Sequence, residues 1–389
     1  MANSLPSRRQ ILRGLVAAPL AAAGARLALA APAAGPDRCA LVVVMLRGAL
    51  DGLAAVPATG DPAWRALRPQ AEAELERFGP PRRLDGMFSL HPALAQLHRW
   101  WGEGSLLVVH AVASPYRERS HFDAQQQLES GGARPFELST GWLGRALAAT
   151  GGRGVALEQA LPLALRGAPG ASSWAPSANA SADADLLARV GRLYESDAQL
   201  GPMFEQAMAQ HRGDDMAAAG GAGFAALARQ AGRFLSAPDG PRVAWLESSG
   251  WDTHTQQAPR LARLLGGLDQ GLAALRESLG ARWSDTSVLV MTEFGRTAAM
   301  NGSLGTDHGT AGVAFLAGGV VAGGRVRSDW PGLARAQLFE GRDLRPTTDL
   351  RALIAPALQR HLGVSRAQIE RELLPGAPAA LPDLWRGAA

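Results

Sequence analysis

Short apolar runs, each followed by polar residues, recur along the chain. Runs of this length, rich in β-branched residues, are typical of strands that are buried on both faces. One long segment, Pro259–Leu279, carries leucines at helical spacing and is expected to cover the sheet as an amphipathic helix. The alternation of such elements predicts an α/β fold with an open sheet. The expected strands are Ala40–Leu46, Leu106–Ala113, Arg242–Ser248, Val288–Met291 and Val313–Ala317.

The stretch 286–309 shows this pattern most clearly. Its apolar run is followed at once by Glu293 and Arg296, and a loop rich in Gly, Asn and Ser then leads to Asp307 and His308. Ligands of open α/β sheets bind just beyond the carboxyl ends of the strands, so we expect these four side chains to meet there. The competing interpretation is structural, with Glu293 as a helix cap and Asp307-His308 as an ordinary loop turn.

Two further strands end in residues that can bind metal. Asp51 follows the first strand in a glycine-rich turn, as a metal ligand or catalytic carboxylate or as part of an Asp-Gly turn. Asp252 and His254 come directly after the strand that ends at Ser248. Because one residue separates them, an extended segment or tight loop can place both on the same side, where they can chelate one ion.

A polar cluster marks the start of the helix that follows the second strand. Ser120 stands at the expected helix start, with His121 and Asp123 after it and Arg117 and Arg119 before it. Free N–H groups at a helix start bind anions, so we expect Ser120 to be a nucleophile or metal ligand and its neighbours to supply a base or further ligands. The structural alternative is that Ser120 is only an N-cap.

Together these positions predict a metal site at one edge of the sheet. Mixed carboxylate and imidazole ligands suit Zn, Mn or Mg rather than a sulfur-loving metal, and such a divalent cation can stabilise charge on a transferring phosphoryl or sulfuryl group. Arg296 or Arg117 could clamp that anion, and His308 or His254 could act as general acid or base. The predicted metal ligands are Asp51, Asp252, His254, Glu293, Asp307 and His308, and the predicted catalytic residues are Ser120, His121 and Arg296.

Composition and charge exclude several classes of protein. Hydrophobic residues make up 47% and charged residues 19% of the chain, which is ordinary for a globular protein and allows a sizeable core. All 39 basic residues are arginine, which excludes lysine-based Schiff-base chemistry, and the single cysteine, Cys39, excludes an internal disulfide. Residues 1–30 hold four arginines and no acid, so the remainder has 35 arginines against 35 acids. A neutral chain without a basic run has no electrostatic reason to bind nucleic acid.

The amino-terminal segment has the features of an export signal. Residues 7–13 resemble the twin-arginine signal, and an Ala-rich stretch ends in the small-x-small pattern of a signal peptidase site at 28–30. The stretch is too weakly apolar for a permanent membrane anchor. We therefore expect residues 1–30 to be a twin-arginine signal peptide, read by the export machinery, and the protein to be periplasmic or secreted. Residues 31–389 are expected to form one domain with a helical excursion near 185–236.

Several motifs together resemble the domain-of-unknown-function 1501 family, which is grouped with the alkaline phosphatase-like superfamily. They are LRGALDGLAAV at 46–56, SPYRERSHFDAQ at 114–125, GWDTH at 250–254, VMTEFGRT at 290–297 and TDHG at 306–309. The resemblance covers nearly all of the mature chain. It implies an alkaline phosphatase-like α/β fold, with a large, mostly parallel central sheet and helices on both faces.

Enzymes of that superfamily arrange, in chain order, a first-strand Asp, a Ser or Thr nucleophile at a helix start, an Asp and a His, an Asp-His pair and a final His. This chain keeps the order with Asp51, Ser120, Asp252, His254, Glu293 and His308. It departs from it in two places, since one residue rather than three separates Asp252 from His254, and Glu293-Phe294 stands where the Asp-His pair would be. One metal, a different metal or none therefore stay open.

Two functions follow as expectations from the motifs and the resemblance. The first is an exported metal-dependent hydrolase that acts on a small anionic ester, a phosphate or a sulfate. The second is a catalytically inactive periplasmic binding or assembly protein that reuses the ancestral site for an anion or a partner.

Overall fold

The computed structural model describes residues 39–176 and 223–387, together with scattered positions between 190 and 205. Strands of the described residues are β1 (Ala40–Arg47), β2 (Arg82–Arg83), β3 (Ser89–Leu90), β4 (Leu106–Ala113), β5 (Gly154–Ala156), β6 (Ala171–Ser173), β7 (Val243–Ser249), β8 (Thr286–Thr292), β9 (Gly312–Gly318), β10 (Arg325–Arg327) and β11 (Thr348–Asp349). β2 and β3 form a separate antiparallel pair. The others make one sheet in the order β10-β4-β9-β8-β1-β7-β5-β6, with β11 also paired to β4.

One strand of this sheet runs against all the others. β9 is antiparallel to both of its neighbours, β4 and β8, and every other pairing in the sheet is parallel. The carboxyl ends of β1, β4, β7 and β8 therefore lie at one edge, and the amino end of β9 lies at the same edge. The predicted large, mostly parallel α/β sheet is confirmed, and the reversal of β9 adds a detail that the apolar pattern does not carry.

Helices cover both faces of the sheet. Alternate residues of β1 enter opposite cores, so that Val42 packs in the core that contains Leu265 and Val43 packs in the core that contains Leu353. Within residues 39–176 and 223–387 the α-helices are α1 (Gly52–Ala55), α2 (Trp64–Leu67), α3 (Pro69–Arg77), α4 (Ala95–Gly102), α5 (His121–Ser130), α6 (Trp142–Thr150), α7 (Phe224–Ser236), α8 (Gln257–Leu279), α9 (Arg351–Leu362) and α10 (Arg366–Gln368).

Two predicted segments fall mainly beyond the part of the chain that the structure describes. The signal peptide at 1–30 lies outside the described residues, and so does most of the helical excursion near 185–236, whose last part is α7. Of the helices described, none combines the length and the apolar character that crossing a bilayer requires.

Candidate metal centre

Three histidine side chains meet at the edge of the sheet where the parallel strands end. The Nε2 atom of His308 lies 3.0 Å from Nε2 of His121 and 3.0 Å from Nε2 of His254. The carboxylate of Asp252 lies beside the same atoms, 2.9 Å from His254 Nε2, 3.3 Å from His308 Nε2 and 3.5 Å from His121 Nε2. Two ring nitrogens and one carboxylate therefore gather within 3.3 Å of His308 Nε2.

The topology explains why these four residues meet. His121 is the first residue of α5, which follows β4. Asp252 and His254 lie in the loop between β7 and α8, and His308 lies just before β9. Because β9 is reversed, its amino end shares an edge with the carboxyl ends of β4 and β7.

The outer nitrogen of each ring faces a hydrogen-bond acceptor. Nδ1 of His121 lies 2.8 Å from Oε1 of Glu293, and Nδ1 of His254 lies 3.2 Å from Oδ1 of Asp307. Nδ1 of His308 lies 2.9 Å from the backbone carbonyl oxygen of Arg119. Carboxylates and carbonyls only accept, so each Nδ1 donates and carries a proton. In a neutral ring this leaves Nε2 as a bare lone pair that faces the centre.

The surrounding charges set the protonation of the centre. Burial alone would lower the pKa of His121, but the hydrogen bond and charge of Glu293 outweigh it and raise that pKa. Burial, together with the charge on His121, lowers the pKa of His308. Partial burial would raise the pKa of Asp252, but the hydrogen bond and charge of Arg296 outweigh it and lower that pKa. Glu293 therefore favours the protonated form of His121, and Arg296 favours the ionised form of Asp252.

The donor set fits a divalent metal ion. Imidazole and carboxylate are the ligands of zinc sites, at bond lengths of about 2.0–2.2 Å, and a tetrahedral shell of that size separates neighbouring ligand atoms by about 3.3 Å. Among His121, Asp252 and His308 the ligand atoms are separated by 3.0–3.5 Å, close to that spacing, and His254 Nε2 lies 2.9 Å from Asp252 and 3.0 Å from His308. Metal-bound histidines generally donate their other ring N–H to a carboxylate or carbonyl, as all three do here. His121, Asp252 and His308 could therefore hold one ion, and His254 lies beside them as a candidate fourth ligand.

Glu293 and Asp307, both predicted as metal ligands, instead contact the outer nitrogens of two of the histidine rings. Glu293 is fully buried, and its Oε1 accepts from His121, from Gln125 Nε2 and from the backbone N–H of Gly48, each at 2.8 Å. Burial would raise the pKa of Glu293, but these hydrogen bonds outweigh it and lower that pKa. Asp307 accepts from His254 and from Asn301 Nδ2. Both carboxylates are placed to orient ligand rings.

Asp51 lies in a separate buried ion pair. Its Oδ2 accepts from Arg68 Nη1 at 2.6 Å and from Gln257 Nε2 at 2.7 Å, and its Oδ1 accepts from the backbone N–H of Ala54 as the N-cap of α1. Arg68 also donates to two backbone carbonyls, so the pair is fully buried and hydrogen-bonded. These contacts make Asp51 a helix N-cap and the partner of a buried arginine, a role that differs from both the predicted metal ligand and the Asp-Gly turn.

The guanidinium of Arg296 is directed at protein groups. It donates from Nη1 to Asp252 Oδ1, from Nη2 to the carbonyl oxygen of Thr306 and from Nε to the hydroxyl of Thr306. Its side chain is buried, so it orients Asp252 from behind. A guanidinium held in this way is not positioned to clamp an external anion.

Ser120 occupies the N-cap position of α5 without accepting a side-chain cap hydrogen bond. Its backbone N–H donates to the hydroxyl of Tyr116 at 3.2 Å, and that hydroxyl donates to Asp123 Oδ2 at 3.4 Å. The Ser120 side chain is half-buried and adjoins His121 in the chain, whereas Asp123 is engaged by Tyr116.

Comparison with known proteins places the sequence in a family. Residues 107–373 match the family described as a protein of unknown function, DUF1501. The chain belongs to the DUF1501 family. A search of curated proteins found no match to this DUF1501 member.

Several solved structures are similar to this DUF1501 member at low identity. The C-terminal periplasmic domain of EcEptC from Escherichia coli, in complex with Zn, is 9% identical, with a TM-score of 0.36, over 72% of this chain and 73% of that chain. The phosphonate monoester hydrolase of Agrobacterium radiobacter is 12% identical, with a TM-score of 0.37, over 89% of this chain and 79% of that chain. The lipoteichoic acid synthase LtaP from Listeria monocytogenes is 10% identical, with a TM-score of 0.38, over 85% of this chain and 73% of that chain. These are distant likenesses, so the function has to be argued from the site itself.

Sequence reasoning missed the amides that hold the outer carboxylates of this DUF1501 member. Gln125 donates to Glu293 at 2.8 Å, and Asn301 donates to Asp307 at 3.1 Å. Gln125 lies four residues after His121, and side chains at that spacing share a helix face, so the spacing could have revealed it. Asn301 lies in an irregular loop, where no periodic signal marks it.

Proposed function

We propose that this DUF1501 member is a metal-dependent hydrolase of a phosphate or sulfate ester. The observation that carries the proposal is the meeting of three Nε2 atoms and the Asp252 carboxylate, with each Nδ1 held by an acceptor. In this proposal His121, Asp252, His254 and His308 hold one divalent ion. Zinc suits this mixture of imidazole and carboxylate best.

The centre is open enough for a substrate to reach it. The side chains of Asp252 and His254 are each 41% exposed, and that of His308 is 28% exposed. A bound divalent cation would supply Lewis-acid stabilisation of the charge that develops on the ester oxygens. The protein supplies ring orientation, because Glu293, Asp307 and the Arg119 carbonyl keep the three Nδ1 protons outside the centre.

Ser120 is the proposed nucleophile. Its hydroxyl stands at the amino end of α5, next to His121 and without a cap hydrogen bond, and unpaired N–H groups at a helix start favour negative charge. We expect Ser120→Ala to abolish ester turnover while leaving bound metal unchanged, as measured by steady-state kinetics and by metal analysis. Unchanged turnover in this variant would remove the nucleophile role and leave the metal centre standing.

The deciding experiment combines metal content with substrate turnover. Protein purified from its native host is analysed for bound metal and then assayed on aryl phosphate monoesters, phosphodiesters, phosphonates and sulfates. We expect one ion per chain, its loss in Asp252→Ala, and hydrolysis of at least one ester class that Asp252→Ala lacks. Glu370→Gln, at an exposed ion pair with Arg366, is the control and should match the parent. An ion without turnover of any ester would contradict the hydrolase.

A second candidate function is a non-catalytic protein that binds an anion or a partner at the same centre. The observation that favours it is that His254 lies beside the three residues that could hold an ion. A fourth protein ligand would close the shell, as in structural zinc sites, whereas catalytic zinc sites keep an open position. The Co²⁺-loaded protein distinguishes the two. Phosphate or sulfate that changes its visible absorption spectrum has entered the metal's coordination shell, and an invariant spectrum favours the closed, structural centre.

We further propose that the protein is exported and works in the periplasm or outside the cell. The proposal rests on the Arg8-Arg9 pair, the Ala-rich stretch after it and the small-x-small pattern at 28–30. Replacing Arg8-Arg9 by two lysines should retain the protein in the cytoplasmic fraction of its host. An unchanged distribution between the cell fractions would show that the arginine pair is not an export signal.

A further inference from the structure

His308 differs from the other two histidines of the centre in what holds its outer nitrogen. Glu293 and Asp307 orient His121 and His254 through their side chains, whereas Nδ1 of His308 donates to the backbone carbonyl of Arg119 at 2.9 Å. The direction of the His308 ring therefore depends on the backbone conformation at Arg119.

That backbone conformation is an unusual one. Arg119 has φ = 62°, in the left-handed region, which costs a non-glycine residue about 1–2 kcal/mol per residue. Residues held in this region persist only where the surroundings fix them, and they cluster at functional sites. Something in the surrounding structure must therefore hold Arg119 in place.

The Arg119 side chain is held by two carboxylates that are distant in the chain. Its Nε donates to Asp343 Oδ2 at 3.0 Å, and its Nη2 lies 2.8 Å from the same oxygen. Nη2 also lies 2.5 Å from Glu340 Oε2. The Asp343 side chain is fully buried, whereas that of Glu340 is 58% exposed. Asp343 is therefore the fixed anchor of the pair.

The turn that carries Asp343 is fastened to both segments that flank the centre. The backbone N–H of Ala298 donates to the carbonyl of Arg342 at 3.1 Å, on the side of Glu293 and Arg296. The hydroxyl of Thr310 donates to the carbonyl of Leu344 at 2.9 Å, just after His308. The anchor therefore cannot move independently of the loop that bears His308.

We propose that the Arg119–Asp343 ion pair is the positioning device for His308. It pins the Arg119 backbone in the left-handed conformation that aims its carbonyl at His308 Nδ1, and so aims Nε2 at the metal. Arg119 and Asp343 touch neither metal nor substrate in this scheme. The inference rests on the metal centre of the proposed function but not on the ester hydrolysis.

The test measures metal binding directly. The dissociation constant for Zn²⁺ is determined by competition with a chromophoric chelator, and the visible spectrum of the Co²⁺-loaded protein reports the ligand geometry. The variants are Asp343→Asn, Arg119→Ala, Arg119→Gly and Arg119→Lys. The metal-free forms are compared by near-ultraviolet circular dichroism, so that loss of folding is seen separately.

The variants should fall in a defined order. Losing a partner that orients a metal ligand typically costs 10–100-fold in metal affinity, so we expect Asp343→Asn and Arg119→Ala to weaken Zn²⁺ binding by about that factor and to alter the Co²⁺ spectrum. Arg119→Gly tolerates the left-handed backbone and should lose less than Arg119→Ala. Arg119→Lys keeps a cation for Asp343 and should restore part of the affinity. Glu370→Gln, at an exposed ion pair with Arg366, is the control and should stay within about twofold of the parent.

The outcomes separate this inference from the proposed function. Folded Asp343→Asn, Arg119→Ala and Arg119→Lys proteins that all bind Zn²⁺ as the parent does, with the parent's Co²⁺ spectrum, would overturn the positioning role. A parent protein that binds no metal would overturn it as well. The expected order of Zn²⁺ affinities in a protein that hydrolyses no ester would support the positioning role and refute only the hydrolase.

Discussion

At the scale of single residues, what a carboxylate does here depends on its nearest neighbour. Asp252 is aimed at the ring nitrogens by Arg296 behind it. Glu293 meets the outer nitrogen of His121 and so orients a ligand. Asp51 meets a buried arginine, Arg68, and is neutralised by it. All three follow a strand, and only the partner distinguishes them.

Asp51 gives a prediction that separates a structural carboxylate from a metal ligand. Removing one partner of a buried ion pair leaves an uncompensated buried charge, so Asp51→Asn should lower the free energy of unfolding by about 3–5 kcal/mol. The folded fraction should keep its full metal content, since Asp51 contacts Arg68, Gln257 and the backbone of Ala54. Urea unfolding and metal analysis measure the two effects.

The control for this variant is Asp239→Asn, at an exposed carboxylate. A change at such a surface site should stay within about 0.5 kcal/mol of the parent. If Asp51→Asn lost its metal while its free energy of unfolding stayed unchanged, Asp51 would be a metal ligand and not a structural carboxylate.

At the scale of elements, the turns at the strand ends fit closely together. Gly48, just after β1, has φ = 115°, and its N–H donates to Glu293 Oε1 at 2.8 Å. A Cβ at this position would lie 2.5 Å from the backbone nitrogen of Asp252. The turn after β1 therefore packs against the loop that carries two of the proposed ligands, and any added atom there must displace that loop.

Gly48→Ala is expected to damage both stability and metal binding. The left-handed backbone alone should cost about 1–3 kcal/mol, and displacement of Asp252 should weaken Zn²⁺ binding. Denaturant titration and chelator competition measure the two quantities. Gly266→Ala in α8 is the matched control, because nothing lies within 4 Å of its would-be Cβ. In a helix interior that change should stabilise the protein by about 0.5–1 kcal/mol. Equal behaviour of the two variants would contradict the close fit at Gly48.

The same elements show how far the sequence predicts this structure. Apolar runs predict β1, β4, β7, β8 and β9, because a strand buried on both faces needs a continuous apolar segment. They do not reveal that β9 is reversed, since burial is the same in either direction. Polar residues after the strands predict the edge of the sheet where the centre lies. These polar residues do not show which side chain binds the metal and which one orients it. His121 and Glu293 are both potential ligands, and only the folded structure shows that Glu293 faces the outer nitrogen of His121.

Asp343 marks the other limit of prediction from sequence. It lies 35 residues after His308 in an irregular turn, and its contact with Arg119 depends on tertiary structure. No periodicity or local motif joins the two positions. The left-handed backbone of Arg119 is equally hidden, because arginine gives no signal for that conformation, as glycine would.

At the scale of the whole molecule, three histidines remote from the centre are buried without charge. Burial lowers the pKa of His91 to about 4, that of His110 to about 4 and that of His361 to about 3. His110 shows the cause, because its Nδ1 accepts from the backbone N–H of Ala111 at 2.8 Å and its Nε2 donates to the carbonyl of Val56 at 2.9 Å. Protonating Nδ1 would break the first of these bonds. This histidine inside β4 is therefore hydrogen-bonded at both ring nitrogens.

These histidines predict acid sensitivity of the fold. Between pH 6.5 and about pH 4 these histidines are protonated in the unfolded chain but stay neutral in the folded chain. The free energy of unfolding therefore falls as the pH drops through this range. For His110 the shift from 6.5 to about 4 corresponds to about 3 kcal/mol. Urea unfolding of the metal-free protein across this range measures the fall, and His110→Gln should make it shallower by up to that amount. Parallel curves for parent and variant would contradict a neutral His110.

The reversed direction of β9 affects how the residues at this edge of the sheet could change between related proteins. Because β8 and β9 are antiparallel neighbours, the chain returns to the sheet through one excursion instead of a crossover. That excursion carries His308, the arginine behind Asp252 and both outer carboxylates, Glu293 and Asp307. Exchanging the connection between β8 and β9 would replace about half of the residues at the centre and leave every strand pairing intact. His121 and the loop after β7 would stay in place and could meet the side chains of a new connection.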